Sequence, residues 1–109
     1  MKTNLSPFSL AVFVLLCLGM EGCHKSDSHW VTLTWDAPAQ ATGVTVKSYN
    51  IYRGTTSGGP YAKLALHVPG PPYEDRIVTS GHTYFYVVTA VDQADHESRF
   101  SREIKATIP

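Results

Sequence analysis

Several residue types and patterns are scarce in this chain of 109 residues. Two cysteines are too few for a scaffold held together by disulfides. Lys+Arg and Asp+Glu are equal at 9 each, and a chain without a basic surplus is not expected to bind nucleic acid. No apolar run is as long as a membrane-spanning helix, which needs about 20 residues. A hydrophobic fraction of 43% is too high for a disordered chain, so we expect one small folded domain.

The longest apolar run lies near the N-terminus. Lys2 supplies a positive charge, and residues 8–20 read FSLAVFVLLCLGM, which is apolar apart from one serine. This length suits the apolar core of a signal peptide better than a membrane span. The run leads to the pair Gly22-Cys23. We therefore expect residues 1–22 to be a signal peptide and residues 23–28 to be a polar tether.

The pair Gly22-Cys23 resembles the cleavage site of bacterial lipoproteins, in which a small residue precedes a cysteine. The resemblance implies that Cys23 becomes the first residue of the mature protein and carries a lipid on its sulfur. The protein is then exported and anchored by acyl chains at the cell envelope, on the periplasmic side or the cell surface. Two alternatives remain open. An ordinary secretory cleavage leaves a secreted protein with a free thiol, and an uncleaved leader acts as the anchor.

From residue 29 onward, apolar and polar side chains alternate with a period of two. The segment HWVTLTWD places valine, leucine and tryptophan on one face and threonine on the other. Further segments of this kind are separated by turns rich in glycine, proline and serine. The predicted strands are 29–36, 46–54, 61–68, 73–78, 84–92 and 102–108. No stretch of ten residues in this part has helical periodicity, so the prediction is an all-β, immunoglobulin-like β-sandwich.

The order of these segments resembles a fibronectin type III domain over residues 29–109. The matching pieces are VTLTW, YNIYRG, YEDRIVTSGHTYFYVVTAVD and ESRFSREIKATIP. The resemblance implies a first strand, strand A, before VTLTW, but this chain departs from that pattern: only HKSDS separates Cys23 from His29, so we expect strand A to be short or missing. It also implies that Tyr84 occupies the tyrosine-corner position, where the hydroxyl bonds to backbone. The core residues that it implies are Trp35, Tyr49, Tyr84, Tyr86 and Val88.

One group of side chains is expected to face away from this core. Strand phase places Tyr52, Phe85, Val87 and Val91 on the opposite face of the sheet. Apolar patches on a solvent-facing sheet often mark contact sites. The alternatives are that loop residues cover these side chains, or that they serve as strand formers.

No catalytic or metal-binding pattern is recognised. The five histidines match no usual set of metal ligands, and no Gly-x-Ser-x-Gly motif occurs. The series Asp92-x-x-Asp95-x-Glu97 lacks the glycine-bearing spacing of a calcium loop, so we expect a solvated loop there. We therefore predict no catalytic residue, no metal and no cofactor.

These observations predict a non-catalytic binding or scaffolding module outside the cytoplasm. The first hypothesis is contact with a protein partner at the cell envelope, with the membrane reached through the lipid anchor. The alternative is a carbohydrate-associated module that contacts cell-wall or extracellular polysaccharide, since domains that resemble this one often accompany polysaccharide-degrading enzymes. No nucleic-acid partner is expected.

Overall fold

A computed structural model of the protein describes residues 10–17, 28–37 and 45–109. These residues form seven strands and no helix. In chain order the strands are β1 (Leu10–Cys17), β2 (Ser28–Trp35), β3 (Val46–Gly54), β4 (Ala62–Val68), β5 (Tyr73–Asp75), β6 (Thr83–Asp92) and β7 (Ile104–Thr107). The all-β class predicted from the alternating pattern is confirmed.

The strands form two antiparallel sheets. One has three strands in the order β1-β2-β5, and the other has four in the order β4-β3-β6-β7. Buried side chains of β2, β3, β6 and β7 belong to one hydrophobic cluster. Since both sheets contribute to this cluster, they stack face to face, and the predicted β-sandwich is confirmed.

The alternation in β2 shows why this segment forms a strand. Val31 and Leu33 are fully buried and Trp35 is buried, whereas Thr32 and Thr34 lie between them half-buried on the other face. A strand that buries every second side chain gains hydrophobic stabilisation from one face only. This is the arrangement of a sheet with one face on the core.

All five residues that the family resemblance placed in the core lie there. The Trp35 ring meets the Tyr49 ring edge to face, with 5.3 Å between centroids and an interplanar angle of 65°. The members of this set in the core cluster are Trp35, Tyr49, Tyr84, Tyr86 and Val88. Their aromatic rings connect β2 of one sheet to β3 and β6 of the other.

The Tyr84 hydroxyl closes the connection that leads into β6. It accepts a hydrogen bond from the backbone N–H of Thr79 at 3.0 Å, which is the bond expected of a tyrosine corner. Gly81 lies in the turn between them with φ of +83°, a conformation that favours glycine. The Gly81 N–H donates to the carbonyl of Ile108 at 2.8 Å, so this turn is also tied to the end of the chain.

The edge beside β2 differs from the sequence expectation of a short or missing first strand. The structure pairs β1 with β2 over eight residues, from Leu10 opposite Trp35 to Cys17 opposite Ser28. This strand is formed by the segment predicted to be the apolar core of a leader. An apolar, β-branched run suits both a leader and a strand at the edge of a sheet, and the pattern alone does not separate them.

Candidate functional site on the outer face of the four-stranded sheet

The face of the four-stranded sheet that points away from the core is partly covered by the chain itself. After β6, the segment 97–101 turns back along that strand. The Ser98 N–H donates to the carbonyl of Ala90 and the Ser101 N–H to the carbonyl of Val88, each at 2.8 Å. The segment thus adds an irregular edge beside β6 and brings polar and aromatic side chains over the outer face.

Glu97 is the hydrogen-bond centre of this face. Its Oε2 accepts a bond from Thr89 Oγ1 at 2.6 Å, a bond from Asn50 Nδ2 at 3.2 Å, and a short bond from the Tyr52 hydroxyl. None of these three donors bonds to the second oxygen, Oε1. Glu97 also remains exposed, whereas Asn50 and Thr89 are buried beneath it. The carboxylate is therefore held in place from the sheet side and open on the solvent side.

The electrostatics of this cluster keep the carboxylate charged and the phenol neutral. Partial burial raises the pKa of Glu97, but the hydrogen bonds from Thr89, Tyr52 and Asn50 together outweigh it, and the net pKa is below its usual value. Burial raises the pKa of Tyr52, and the bond to the Glu97 carboxylate raises it further. At neutral pH the pair is thus a hydroxyl donor and a carboxylate acceptor.

Three aromatic rings lie together on this face, and we refer to Tyr52, Tyr61 and Phe100 as the aromatic platform. The Phe100 ring lies 5.2 Å from the Tyr52 ring at 64° and 5.3 Å from the Tyr61 ring at 82°, both edge-to-face arrangements. Phe100 keeps 48% of its surface exposed. A large aromatic side chain is therefore fixed between two others and still presented to solvent.

A second carboxylate anchors the other end of the platform. Glu103 accepts bonds from Ser57 Oγ at 2.8 Å, from the Gly58 N–H at 2.7 Å and from the Tyr61 hydroxyl. These bonds lower the pKa of Glu103, while burial and the bond to Glu103 raise the pKa of Tyr61 to about 12. A tyrosine–carboxylate pair therefore stands on each side of Phe100.

The end of β3 leaves room for the Tyr61 ring. A Cβ on Gly54 would lie 2.5 Å from the carbonyl oxygen of Pro60 and 3.1 Å from the Tyr61 ring. Glycine is thus required at the end of YNIYRG for the next segment to approach the strand closely. This contact positions Tyr61 beside Phe100.

An open cleft of about 430 Å³ lies at the Glu97 end of the platform. Its volume is in the range of small-molecule sites in proteins. Arg99 adds an exposed guanidinium to the rim. The lining residues are Tyr52, Thr89, Glu97, Ser98, Arg99 and Phe100.

The side chains predicted to form an exposed patch do lie on this outer face, but they are covered. Tyr52, Val87 and Val91 keep 8%, 2% and 5% of their surface exposed, and Phe85 is half-buried. The expectation of an open patch is therefore not met, because the segment 97–101 packs against the sheet there. The partner-binding role of these residues stays a prediction. The exposed ring at this place is Phe100, which the sequence did not single out.

The inner face holds a buried ionic cluster that was also not predicted. Asp75 is 1% exposed and its Oδ2 accepts bonds from Arg53 at 2.8 Å and from the Tyr86 hydroxyl at 2.7 Å. The Arg53 guanidinium also lies over the Tyr84 ring, 4.9 Å from its centroid. Burial and the Asp75 carboxylate raise the pKa of Tyr86. Strand phase contained a signal, because Arg53 follows Tyr49 and Ile51 on the core side and a buried cation needs a counter-charge.

The acidic residues of the loop after β6 point to separate partners. Asp92 Oδ1 accepts bonds from the backbone N–H groups of Ala94 and His96, and Asp95 pairs with Lys47 at 2.5 Å. Glu97 faces the outer cleft, so it does not share a centre with the other two. Among the residues that the structure describes, no group of three His, Cys, Asp or Glu side chains could hold a metal ion.

Within the described residues, no helix is long and apolar enough to cross a membrane. Cys23 lies outside the described residues.

Comparison with known proteins agrees with this architecture. Residues 24–109 match a family described as "Fibronectin type III domain SaeA third domain". A solved Fn3-like protein from Clostridium thermocellum superimposes with a TM-score of 0.65 and 30% identity, covering 100% of this chain and 96% of that one.

Two curated relatives are much longer enzymes. An amylopullulanase of Thermoanaerobacter thermohydrosulfuricus is 45% identical over 76 residues, which are 70% of this chain and 5% of that protein. Exoglucanase B of Cellulomonas fimi is 32% identical over 77 residues, which are 71% of this chain and 6% of that protein. The chain therefore matches a small part of each relative. The family match over residues 24–109, together with the two stacked sheets, establishes that this chain belongs to the fibronectin type III domain family.

Proposed function

We propose that this protein is a non-catalytic accessory module that contacts polysaccharide beside polysaccharide-degrading enzymes. The observation that carries the proposal is the 45% identity to a segment that makes up 5% of an amylopullulanase. A second relative of the same kind is an exoglucanase. A segment that recurs as a small part of different polysaccharide-degrading enzymes is expected to serve a need that those enzymes have in common, which is contact with a polymeric substrate. Fold alone does not imply this role.

The use of the ionisable side chains supports a non-catalytic role. Asp75 is committed to a buried ion pair, and Asp92 holds a turn. Glu97 and Glu103 each position a tyrosine of the aromatic platform. Catalytic acids and bases need access to a substrate together with a pKa near the working pH. The carboxylates on the outer face have pKa values lowered away from that range.

Similarity to polysaccharide-degrading enzymes favours the carbohydrate-associated role over the protein-contact role that the sequence alone placed first. Polymer binding separates the two. The full chain, solubilised in detergent, is run by native electrophoresis through gels that contain pullulan, a soluble β-glucan or no polymer. Retardation by at least one glucan, relative to the polymer-free gel, is expected. The polysaccharide role would be excluded if the protein had equal mobility in all gels and also did not co-sediment with insoluble starch or cellulose.

The address of the protein is a second part of the proposal. We propose export followed by anchoring through lipid on Cys23, and the family match that begins at residue 24 supports a domain that starts directly after this cysteine. The intact mass of the membrane-associated protein tests it. A mass equal to acylated Cys23–Pro109 is expected. A soluble product with an unmodified thiol, or a membrane-bound chain that retains residue 1, excludes the lipid anchor.

A further inference from the structure

The aromatic platform has the surface chemistry that a sugar ring needs. A pyranose presents apolar C–H groups on its faces and hydroxyl groups around its edge. It therefore binds where an exposed aromatic ring lies beside fixed hydrogen-bonding groups. Phe100 is half-exposed and held between Tyr52 and Tyr61, so little side-chain freedom is lost when a ligand packs against it. The platform is preorganised for such a contact.

The hydrogen-bonding groups lie at the right place beside this ring. Glu97 lines the same cleft as Phe100, and its Oε2 is already bound by three donors from the sheet. These bonds fix the orientation of the carboxylate, and none of the three donors bonds to Oε1. An exposed, charged acceptor that is held rigidly bonds strongly to a hydroxyl donor. Arg99 supplies donors on the same rim.

We propose that the aromatic platform and the adjoining cleft bind a short stretch of a neutral glucan, with one sugar ring packed on Phe100 and its hydroxyl groups bonded to Glu97 and Arg99. The proposal rests on the proposed polysaccharide role and names the site and the class of polymer. Phe100 keeps 48% of its surface exposed, whereas the Tyr52 ring against which it packs is 8% exposed, so Phe100 is the ring of this pair that is presented to a ligand.

Charge favours a neutral polymer over an acidic one. Glu97 and Glu103 stand on the two sides of Phe100, and the pKa of each is lowered, so both are charged at neutral pH. Arg99 lines the cleft and Lys63, opposite Tyr52 on β4, acts on the Glu97 carboxylate, so two cations accompany the two carboxylates. A face with balanced charges gives a chain of uronic acids or sulfated sugars no net electrostatic gain, and such a chain is repelled wherever it meets the carboxylates. Neutral hydroxyl groups meet no such repulsion.

Binding of pullulan and of its soluble oligosaccharides to the full chain tests the site. Phe100→Ala is expected to weaken binding at least about tenfold, because it removes the exposed aromatic ring on which the sugar packs. Phe100→Tyr keeps an aromatic ring and should bind within about twofold of the parent. The matched control is Ile77→Ala, which truncates a side chain that is 75% exposed but lies after β5, away from the platform. It should leave binding unchanged.

The outcomes separate the site from the function. If the parent binds glucan and Phe100→Ala binds equally well, the site is wrong while the polysaccharide role stands. If the parent binds no glucan, both are wrong. Stronger binding to an acidic polymer than to pullulan overturns the neutral-glucan class. Should Phe100→Ala not fold, chemical-shift changes in the parent on adding the oligosaccharide decide. Shifts confined to residues outside the platform and cleft overturn the proposal.

Discussion

The two faces of the four-stranded sheet use the same pair of chemical groups for different ends. On the inner face, the Tyr86 hydroxyl donates to Asp75, a carboxylate that is 1% exposed and also paired with Arg53. On the outer face, the Tyr52 hydroxyl donates to Glu97, which stays exposed. The tyrosines come from neighbouring strands, β6 and β3. What differs is access to water.

This difference decides what each pair can do. A buried carboxylate that loses a partner leaves an uncompensated charge or an unmet hydrogen bond, and both are costly in a low-dielectric interior. An exposed carboxylate exchanges a protein donor for water at little cost. The inner pair can therefore serve stability and is closed to ligands. The outer pair contributes less to stability than the inner pair, and its exposed carboxylate is open to ligands.

Matched removal of the two carboxylates gives the largest expected contrast. Asp75→Ala leaves the Arg53 guanidinium without its counter-charge and should lower the free energy of unfolding by about 4 kcal/mol. Glu97→Ala should lower it by a smaller amount, about 2 kcal/mol, because it leaves the buried donors of Asn50 and Thr89 without their acceptor but leaves no buried charge. Urea unfolding of the parent and both variants, followed by tryptophan fluorescence, measures both changes. Equal losses would mean that the faces do not differ in the way that their exposure indicates.

The hydroxyl groups provide a smaller version of the same contrast. Tyr86→Phe removes a buried bond to a charged acceptor and should cost about 2 kcal/mol. Tyr52→Phe removes the bond to exposed Glu97 and should cost less than about 1 kcal/mol. Thermal unfolding of the two variants compares them directly, because the same atom is deleted in each. A larger loss for Tyr52→Phe than for Tyr86→Phe would contradict the assignment of the stabilising role to the inner face.

Strand positions followed from the sequence because alternation and turn residues agree along most of the domain. The segment VKSYNIYRG forms β3 as predicted, and the segment from Tyr84 to Asp92 forms β6 with one more residue at its start. The strand expected over 73–78 ends earlier, at Asp75. The Ile77 N–H bonds to Asp75 Oδ1 and the Ile77 carbonyl accepts from Arg53, so this backbone is taken up by side chains instead of the sheet.

The functional face was less accessible to sequence reasoning. The sequence predicted a solvated loop at the acidic series Asp92, Asp95 and Glu97, because this series lacks the spacing of a calcium loop. The structure shows that its end returns along β6, so that Glu97 bonds to the sheet and Phe100 packs on Tyr52. The return itself joins residues 8 and 13 positions apart, but the contacts of Glu97 with Asn50 and Tyr52 join residues more than 40 positions apart, which local patterns do not report. The available signal was Phe100 itself, a lone aromatic side chain in a polar segment.

The first strand shows how one pattern can serve two interpretations. Residues 10–17 have the composition of a leader core and also pair with β2 along its length. The family match begins at residue 24, after this segment. If a leader that ends at Gly22 is removed, β1 is removed with it. The pairing of β2 with β5, which involves Val31 to Leu33 of β2, would remain. The mature domain would carry an open edge at β2, on the sheet opposite the aromatic platform.

Acid titration offers the finest test of the contrast between the two faces. The pKa of Glu97 is lowered in the folded protein, so its charge stabilises the fold above the ordinary value of 4.5, and this contribution is lost as the pH falls through the lowered pKa. Glu97→Gln removes that dependence. The parent should therefore lose slightly more stability than the variant between pH 6 and pH 3, by a few tenths of a kcal/mol because the group is exposed. Urea unfolding of both proteins at the two pH values gives this difference, in which the contributions of the other carboxylates cancel. A variant that loses more stability than the parent on acidification would show that Glu97 is destabilising when charged, and the sheet-side hydrogen bonds could then not be what holds it in place.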